Sequence, residues 1–254
     1  MDWPKVWVLF ATFRRTVAAC TTIESLGHYL KYPNLHFHIC DDGSGMADDG
    51  SERPHVDVLA DKFREFYPEV TAHVMQTPEG QFNTGGNINE GIRYAKEAGC
   101  DIHILIFDDW ALFRELDLRP HVDVLDNHPE VGFVRLSYYV PGNAGVMMGY
   151  DLPRLGGEHM FFRLIREWSI NNPWHTDTYT VSTQPYIAHR RFFDVYGYHP
   201  EHVNPGIAEC NLGGQYNNSP LGENGPQILW YIGPGVVHAP WAHLVGRAHY
   251  YANF

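Results

Sequence analysis

Two pairs of adjacent carboxylates, each closing an apolar run, carry the chemistry of this sequence. Residues 102–110 read IHILIFDDW, so Asp108 and Asp109 end an isoleucine-rich stretch. Residues 35–44 read LHFHICDDGS, where Asp41 and Asp42 run into Gly43 and Ser44. Runs of this composition are typical of strands buried on both faces of a parallel sheet. Ligands in open α/β sheets bind beyond the carboxyl ends of such strands. Hard divalent ions such as magnesium or manganese prefer oxygen ligands and often share them with substrate phosphates. A single Asp-Asp pair is ordinarily a solvated turn. Its recurrence at a second strand end is what points to a ligand site.

These acids need a scaffold, and the rest of the first half supplies one. Residues 6–12 (VWVLFAT) read as a strand ending just before Arg14 and Arg15. Over 15–30, Val17, Cys20, Ile23, Leu26 and Leu30 recur at the spacing of one helix face. A helix is predicted over 56–66 and a short strand over 70–75. Gly85-Gly86-Asn87 then reads as a turn, with a helix over 88–98. Strands alternating with helices predict a mostly parallel, doubly wound sheet flanked by helices. Right-handed crossovers gather the strand C-termini along one edge. The Asn- and Gly-rich run 211–225 reads as a long loop, a candidate lid.

Composition narrows the class. The chain has 254 residues, 44% hydrophobic and 19% charged, which suits a globular protein with a sizeable core. It contains no apolar run long enough for a bilayer, and MDWPKVWVLF lacks a signal peptide's basic start, so a cytoplasmic location is expected. Cys20, Cys40, Cys100 and Cys210 are too scattered for a zinc site or a disulfide framework. They are expected to be buried free thiols, with Cys40 inside a strand. A formal net charge of -12 disfavours nonspecific nucleic-acid binding, which depends on Lys and Arg. Trp168, Trp174, Tyr179 and Trp241 offer flat apolar faces suited to a sugar ring.

Four segments also stand in a familiar order: ATFRR at 11–15, DDGS at 41–44, NTGGNINEGI at 83–92 and FDDW at 107–110. They resemble, in turn, the end of the first strand, the Asp-Asp-Gly-Ser turn, the Gly-rich helix entry and the metal-binding DxD motif of family 2-type glycosyltransferases. Downstream, STQPYIAHRRFFDVYGYH at 182–199 resembles that family's strand and helix with an Arg-Arg-x-Phe signature. Gly206-Ile207-Ala208-Glu209 falls where the family places an acid at a helix start, and Val236-Val237-His238 where some relatives place a metal-binding histidine.

The resemblance implies a GT-A fold: a Rossmann-like, mostly parallel sheet with a smaller acceptor-side lobe. Residues 1–115 would be the donor half and 116–254 the acceptor half of one domain. The implied function is metal-dependent transfer of a sugar from a nucleotide-diphosphate sugar to a hydroxyl acceptor, with inversion. Asp108, Asp109 and His238 would hold manganese or magnesium, with His243 as the alternative histidine. Trp110 stands where the family's second acid is usual, so which carboxylate meets the metal is open, and one could bind ribose instead. Thr12, Arg15, Asp41, Asp42, Gly85, Gly86 and Asp108 would meet the donor. Glu209 would be the general base, and Trp168, Trp174 and Trp241 would meet a glycan or small-molecule acceptor. Three competing readings are a sugar nucleotidyltransferase, a noncatalytic glycan-binding protein and a transferase acting on a DNA base. The first lacks its glycine-rich loop after the first strand, and the acidic balance weighs against the last.

Overall fold

The computed structural model describes residues 2–76, 83–136, 144–164, 181, 185–203, 205–231 and 241–243. The chain begins with β1 (Val6–Thr12), α1 (Thr16–Tyr29) and the two-residue β2 (Leu30–Lys31). Next come β3 (Leu35–Asp41), α2 (His55–Arg64) and β4 (Val70–Val74). α3 (Thr84–Glu97) leads into β5 (Ile102–Phe107), then β6 (Trp110–Leu112) and β7 (Leu116–Asp117). α4 (Arg119–Asn127) and β8 (Val131–Arg135) precede the antiparallel pair β9 (Ala144–Asp151) and β10 (Glu158–Leu164). β11 (Tyr186–His189), α5 (Arg191–Tyr196) and α6 (Pro205–Asn217) follow. β12 (Gln227–Tyr231) and β13 (Trp241–His243) are the last described elements.

Among the described residues, nine strands form one sheet in the order β4-β3-β1-β5-β11-β8-β12-β10-β9. Pairing is parallel from β4 to β5 and again between β8 and β12, and antiparallel at the other joints. Only β11 and β10 are therefore reversed, and the sheet is mostly parallel as expected. It runs unbroken across residue 115.

The alternation of β1 explains the layers. Val6, Val8 and Phe10 pack with Ile23 and Leu26 of α1 and Leu59 and Phe63 of α2. Trp7, Leu9 and Ala11 pack instead with Ile88 and Ile92 of α3 and, further along the sheet, Phe192 and Phe193 of α5. Burial on both faces is why these strands read as continuous apolar runs. Burying each such side chain contributes about 1.5–3 kcal/mol.

Two expectations are corrected. Gly85 and Gly86 lie inside α3, which starts at Thr84, because the Asn83 side chain accepts the Gly86 N–H at 3.3 Å and caps the helix. Residues 211–217 are not loop but the end of α6. Ala208, Leu212 and Tyr216 recur every four residues and are buried, so packing overrides the weak helix propensity of Asn and Gly. Cys20, Cys40 and Cys100 are free thiols. Cys40 and Cys100 are buried, but Cys210 is exposed and Cys20 half-buried, so burial holds for only part of the set. No described helix is long and apolar enough to cross a membrane.

Candidate functional site

Chain order β1, β3, β4 runs outward on one side of β1, and β5 then returns to its other side. That reversal opens a crevice at the strand C-termini, where α/β sheets bind ligands. Thr12 ends β1, Asp41 ends β3, and Asp108 follows β5, so the sequence-predicted residues share this edge. Arg135 ends β8 on the same edge.

Asp108 is fully buried and its two carboxylate oxygens are divided between partners. Oδ2 accepts the Thr12 hydroxyl at 2.9 Å and the Phe13 N–H at 3.0 Å. Oδ1 accepts from Arg15 at 2.5 Å, while the same guanidinium reaches Asp109 Oδ2 at 2.7 Å. Burial pushes the Asp108 carboxyl up to about 6, against the opposing pull of Arg15 and the Phe13 N–H. The turn that arranges these donors is strained: Arg14 has φ 54, and its N–H is held by Ser44 Oγ at 2.9 Å.

Beneath this turn lies His55, which the sequence reading missed. It is fully buried at the start of α2, with Nε2 2.8 Å from Thr12 Oγ1 and Nδ1 2.8 Å from Thr16 Oγ1. Thr12 spends its hydrogen on Asp108, so His55 Nε2–H donates to Thr12 and Nδ1 accepts from Thr16. Thr16 Oγ1 accepts in turn from the Asp48 N–H at 3.2 Å. Every contact in this chain is satisfied with a neutral imidazole, consistent with burial lowering His55. An isolated histidine before a helical run gives no sequence signal for such a role.

Asp41 is buried and accepts the Ser44 N–H and hydroxyl, which shapes the Asp-Asp-Gly-Ser turn. Burial raises its carboxyl, while the Ser44 bonds and nearby His55 hold it down. Asp42 is half-buried beside it, its N–H bonded to the Thr12 carbonyl at 3.1 Å. Gly43, at φ 80, makes the turn possible.

The two helix glycines have partners of a different kind. A Cβ on Gly85 would stand 2.0 Å from the Pro200 carbonyl oxygen, and one on Gly86 would meet the capping Asn83 side chain. Their close approach is thus to this chain's own backbone and cap. Asn89, also from the Gly-rich motif, accepts the His199 N–H at 3.0 Å and donates to its carbonyl at 2.9 Å. That exchange fastens α3 to the segment after α5.

On the other half of the edge, Glu209 is half-buried in α6. Burial lowers the Arg135 guanidinium to about 10, and Glu209 opposes that shift, so the two act on one another. Arg135 was also missed, although it ends an apolar strand, VGFVR, by the same rule that marks Asp108. Trp168, Trp174, Tyr179 and His238 lie outside the described residues. β13 pairs with β6, setting His243 opposite Trp110 and Trp241 opposite Leu112. The backbone of His243 is therefore in register with the residue after Asp109.

No family model and no curated protein matches this chain. Solved structures do. TarS 1-349 of S. aureus in complex with UDP matches with a TM-score of 0.56 at 15% identity, covering 89% of this chain and 60% of that one. The mannosyltransferase PcManGT from Pyrobaculum calidifontis, in complex with GDP-Man and Mn2+, gives 0.54 at 14% identity, covering 98% and 59%. The fold is that of GT-A glycosyltransferases. The catalytic domain of Drosophila beta1,4galactosyltransferase 7 in complex with xylobiose agrees, with 0.52 at 12% identity over 97% and 73%. The chain spans about three fifths of the length of the TarS and PcManGT chains it matches.

Proposed function

We propose that this GT-A chain is a metal-dependent glycosyltransferase that moves a sugar from a nucleotide-diphosphate sugar to a hydroxyl acceptor, with inversion. The observation that carries the reading is the meeting of Asp108, Asp109 and Arg15 at the switch point, one strand away from Asp41. Residues 1–115 form the donor half and 116–254 the acceptor half. A cytoplasmic location is proposed on the free thiols of Cys20, Cys40 and Cys100, which suit a reducing compartment.

The residues present fit a divalent cation. A single guanidinium faces two carboxylates here, and Arg15 is the exposed partner, its side chain 38% accessible against 0% and 12% for the acids. Asp109 is the principal metal ligand in this proposal, because Asp108 already accepts from Thr12 and Phe13. His238, or His243 as the alternative, is the added ligand in this proposal. When bound, the ion supplies Lewis-acid neutralisation of the departing diphosphate.

The chain's own groups do the rest. Asp41 and Asp42 accept hydrogen bonds from the base or ribose, and Thr12 holds Asp108 in place for them. Arg15, displaced from the acids, pairs with the diphosphate, for which a guanidinium's fork is well shaped. The N-terminus of α3, where Gly85 packs against Pro200 and Gly86 against Asn83, favours the donor phosphates through its dipole. Glu209 takes the acceptor hydroxyl proton. Trp168, Trp174 and Trp241 carry the acceptor.

A panel of nucleotide sugars, incubated with manganese or magnesium and scored by released nucleotide, tests the reading. Metal-dependent release from one donor class is expected. No release from any donor, with or without a hydroxyl acceptor, would overturn it. Asp41→Ala should weaken nucleotide binding even without metal, by about 1.5–3 kcal/mol for a lost charged hydrogen bond.

A further inference from the structure

On the α3 face of the sheet, β3 carries His36, His38 and Cys40 at alternate positions, and β4 answers with Thr71 and His73. The register sets Thr71 beside His38 and His73 beside Cys40. Their polar atoms form one continuous chain. Glu69 Oε2 lies 3.3 Å from His36 Nδ1, and His36 Nε2 lies 2.9 Å from Thr71 Oγ1. Thr71 Oγ1 is 2.7 Å from His38 Nδ1, His38 Nε2 is 2.7 Å from His73 Nδ1, and His73 Nε2 is 2.7 Å from Asn87 Oδ1. The Asn87 amide is oriented by its own Nδ2–H, which donates to the Cys40 carbonyl at 2.9 Å.

The hydrogens do not suffice for this chain. Both ends, the Asn87 carbonyl oxygen and the Glu69 carboxylate, only accept. Between them stand three imidazoles and one hydroxyl, each with a single hydrogen when neutral. Four hydrogens thus face five contacts. The His55 chain described above, with the same residue types, closes without a deficit. One contact here calls for an added cation.

We propose that His38, Cys40 and His73 bind a divalent transition metal of borderline softness, of the zinc class, at a site separate from the strand-end carboxylates. Their three ligand atoms lie within 4.8 Å of one another. An ion with bonds of about 2.0–2.3 Å needs its ligand atoms about 3.3–3.8 Å apart, so the two nitrogens must open from 2.7 Å, an adjustment of side-chain torsions. A metal between His38 Nε2 and His73 Nδ1 replaces the one contact that then needs no hydrogen. The His38 hydrogen moves to Nδ1 and donates to Thr71, Thr71 donates to His36 Nε2, and His36 Nδ1–H donates to Glu69. Four hydrogens then serve four contacts.

The arrangement has the second layer that metal-binding histidines require, since the non-ligating nitrogen of each is held, by Thr71 and by Asn87. Mixed nitrogen and sulfur donors select zinc-class ions over magnesium or manganese. Cys40 binds as the thiolate, so one proton leaves to solvent for each ion bound. The ion ties edge strand β4 to β3 one residue before Asp41.

Cobalt(II) titration of the untagged protein tests this site by its absorption. One equivalent is expected to give a thiolate-to-cobalt charge-transfer band, displaced by zinc and unaffected by excess magnesium. Cys40→Ser should abolish that band while retaining weaker binding, and His73→Gln, on the more exposed strand, should weaken binding at least tenfold. Nitrogen-15 NMR of the wild-type imidazoles gives a readout free of folding effects: both His38 Nε2 and His73 Nδ1 should be bare of protons once zinc is added. A cobalt spectrum without the thiolate band would overturn the proposal. So would a His36 imidazolium at neutral pH that zinc leaves unchanged, because a proton would then have closed the chain.

Discussion

Arg15 and Asp108 meet at 2.5 Å across the gap between the ends of β1 and β5, though 93 residues separate them in sequence. The contact joins the strand that starts the fold to the acids that follow its fourth parallel member. Because Thr12, Phe13 and Arg15 all donate to it, Asp108 organises the β1–α1 turn as much as it faces a ligand.

The burial of Asp108 fixes a pH dependence. Its folded value of about 6 lies above the ordinary 3.8, so the folded state binds the proton more tightly than the unfolded one. The resulting stability is full below about pH 4 and is lost as pH rises through about 6, a total of about 3 kcal/mol. Asp108→Asn should remove that slope. Urea unfolding of both proteins from pH 4 to 7.5 checks it: the variant's stability relative to the parent should climb with pH. A constant difference would refute the assignment.

Asp109 should be the metal's main anchor. Asp109→Asn is expected to lower manganese-dependent affinity for a nucleoside diphosphate at least tenfold, with metal-free affinity and fold intact. Calorimetric titration with and without manganese measures both, and unchanged metal-dependent affinity would remove Asp109 from the site.

Glu209 carries two separable roles. As general base its loss in Glu209→Gln should cut transfer by about 10²–10⁴-fold while donor affinity survives. As the group that opposes Arg135's downward shift, its loss should also lower stability. Comparing single-turnover rate with the urea midpoint separates the two. The product's anomeric configuration, read from NMR couplings, should be opposite to the donor's, and retention would sink the mechanism.

Gly85→Ala offers a test with a sign contrary to propensity. Alanine within a helix is ordinarily favoured over glycine by about 1 kcal/mol. Here the new Cβ would stand 2.0 Å from the Pro200 carbonyl oxygen. Net destabilisation of about 1–3 kcal/mol is expected from overpacking. A thermal midpoint at or above the parent's would show that the segment after α5 yields.

Strands β1, β3 and β5 were legible because each is buried on both faces, so its apolar run ends where burial ends. β1 was read to the residue, and Asp41 and Asp108 were found by that same break in hydrophobicity. His55 was invisible because its partners come from β1 and the start of α1, far off in sequence. α6 was hidden by its composition. Ile207, Cys210, Asn211 and Gln215 are its exposed residues, a mixture with no helical pattern, and the three-residue stripe of Ala208, Leu212 and Tyr216 is what betrays a helix. The starting point of α3 was misjudged for a related reason: a glycine pair reads as a turn unless the cap at Asn83 and the crowding by Pro200 are known.

The ladder between β6 and β13 sets a timetable. Residues 110–112 flank the acids, yet their partner lies about 130 residues further along the chain. A ribosome that has delivered the whole donor half has still not delivered that partner. Until it emerges, the strand beside Asp109 has a free edge of its own, and such long-range pairings are late and slow to form. The carboxylates are thus framed early by β1 and β5, and the strand that follows them gains its β13 partner only when synthesis has passed residue 243.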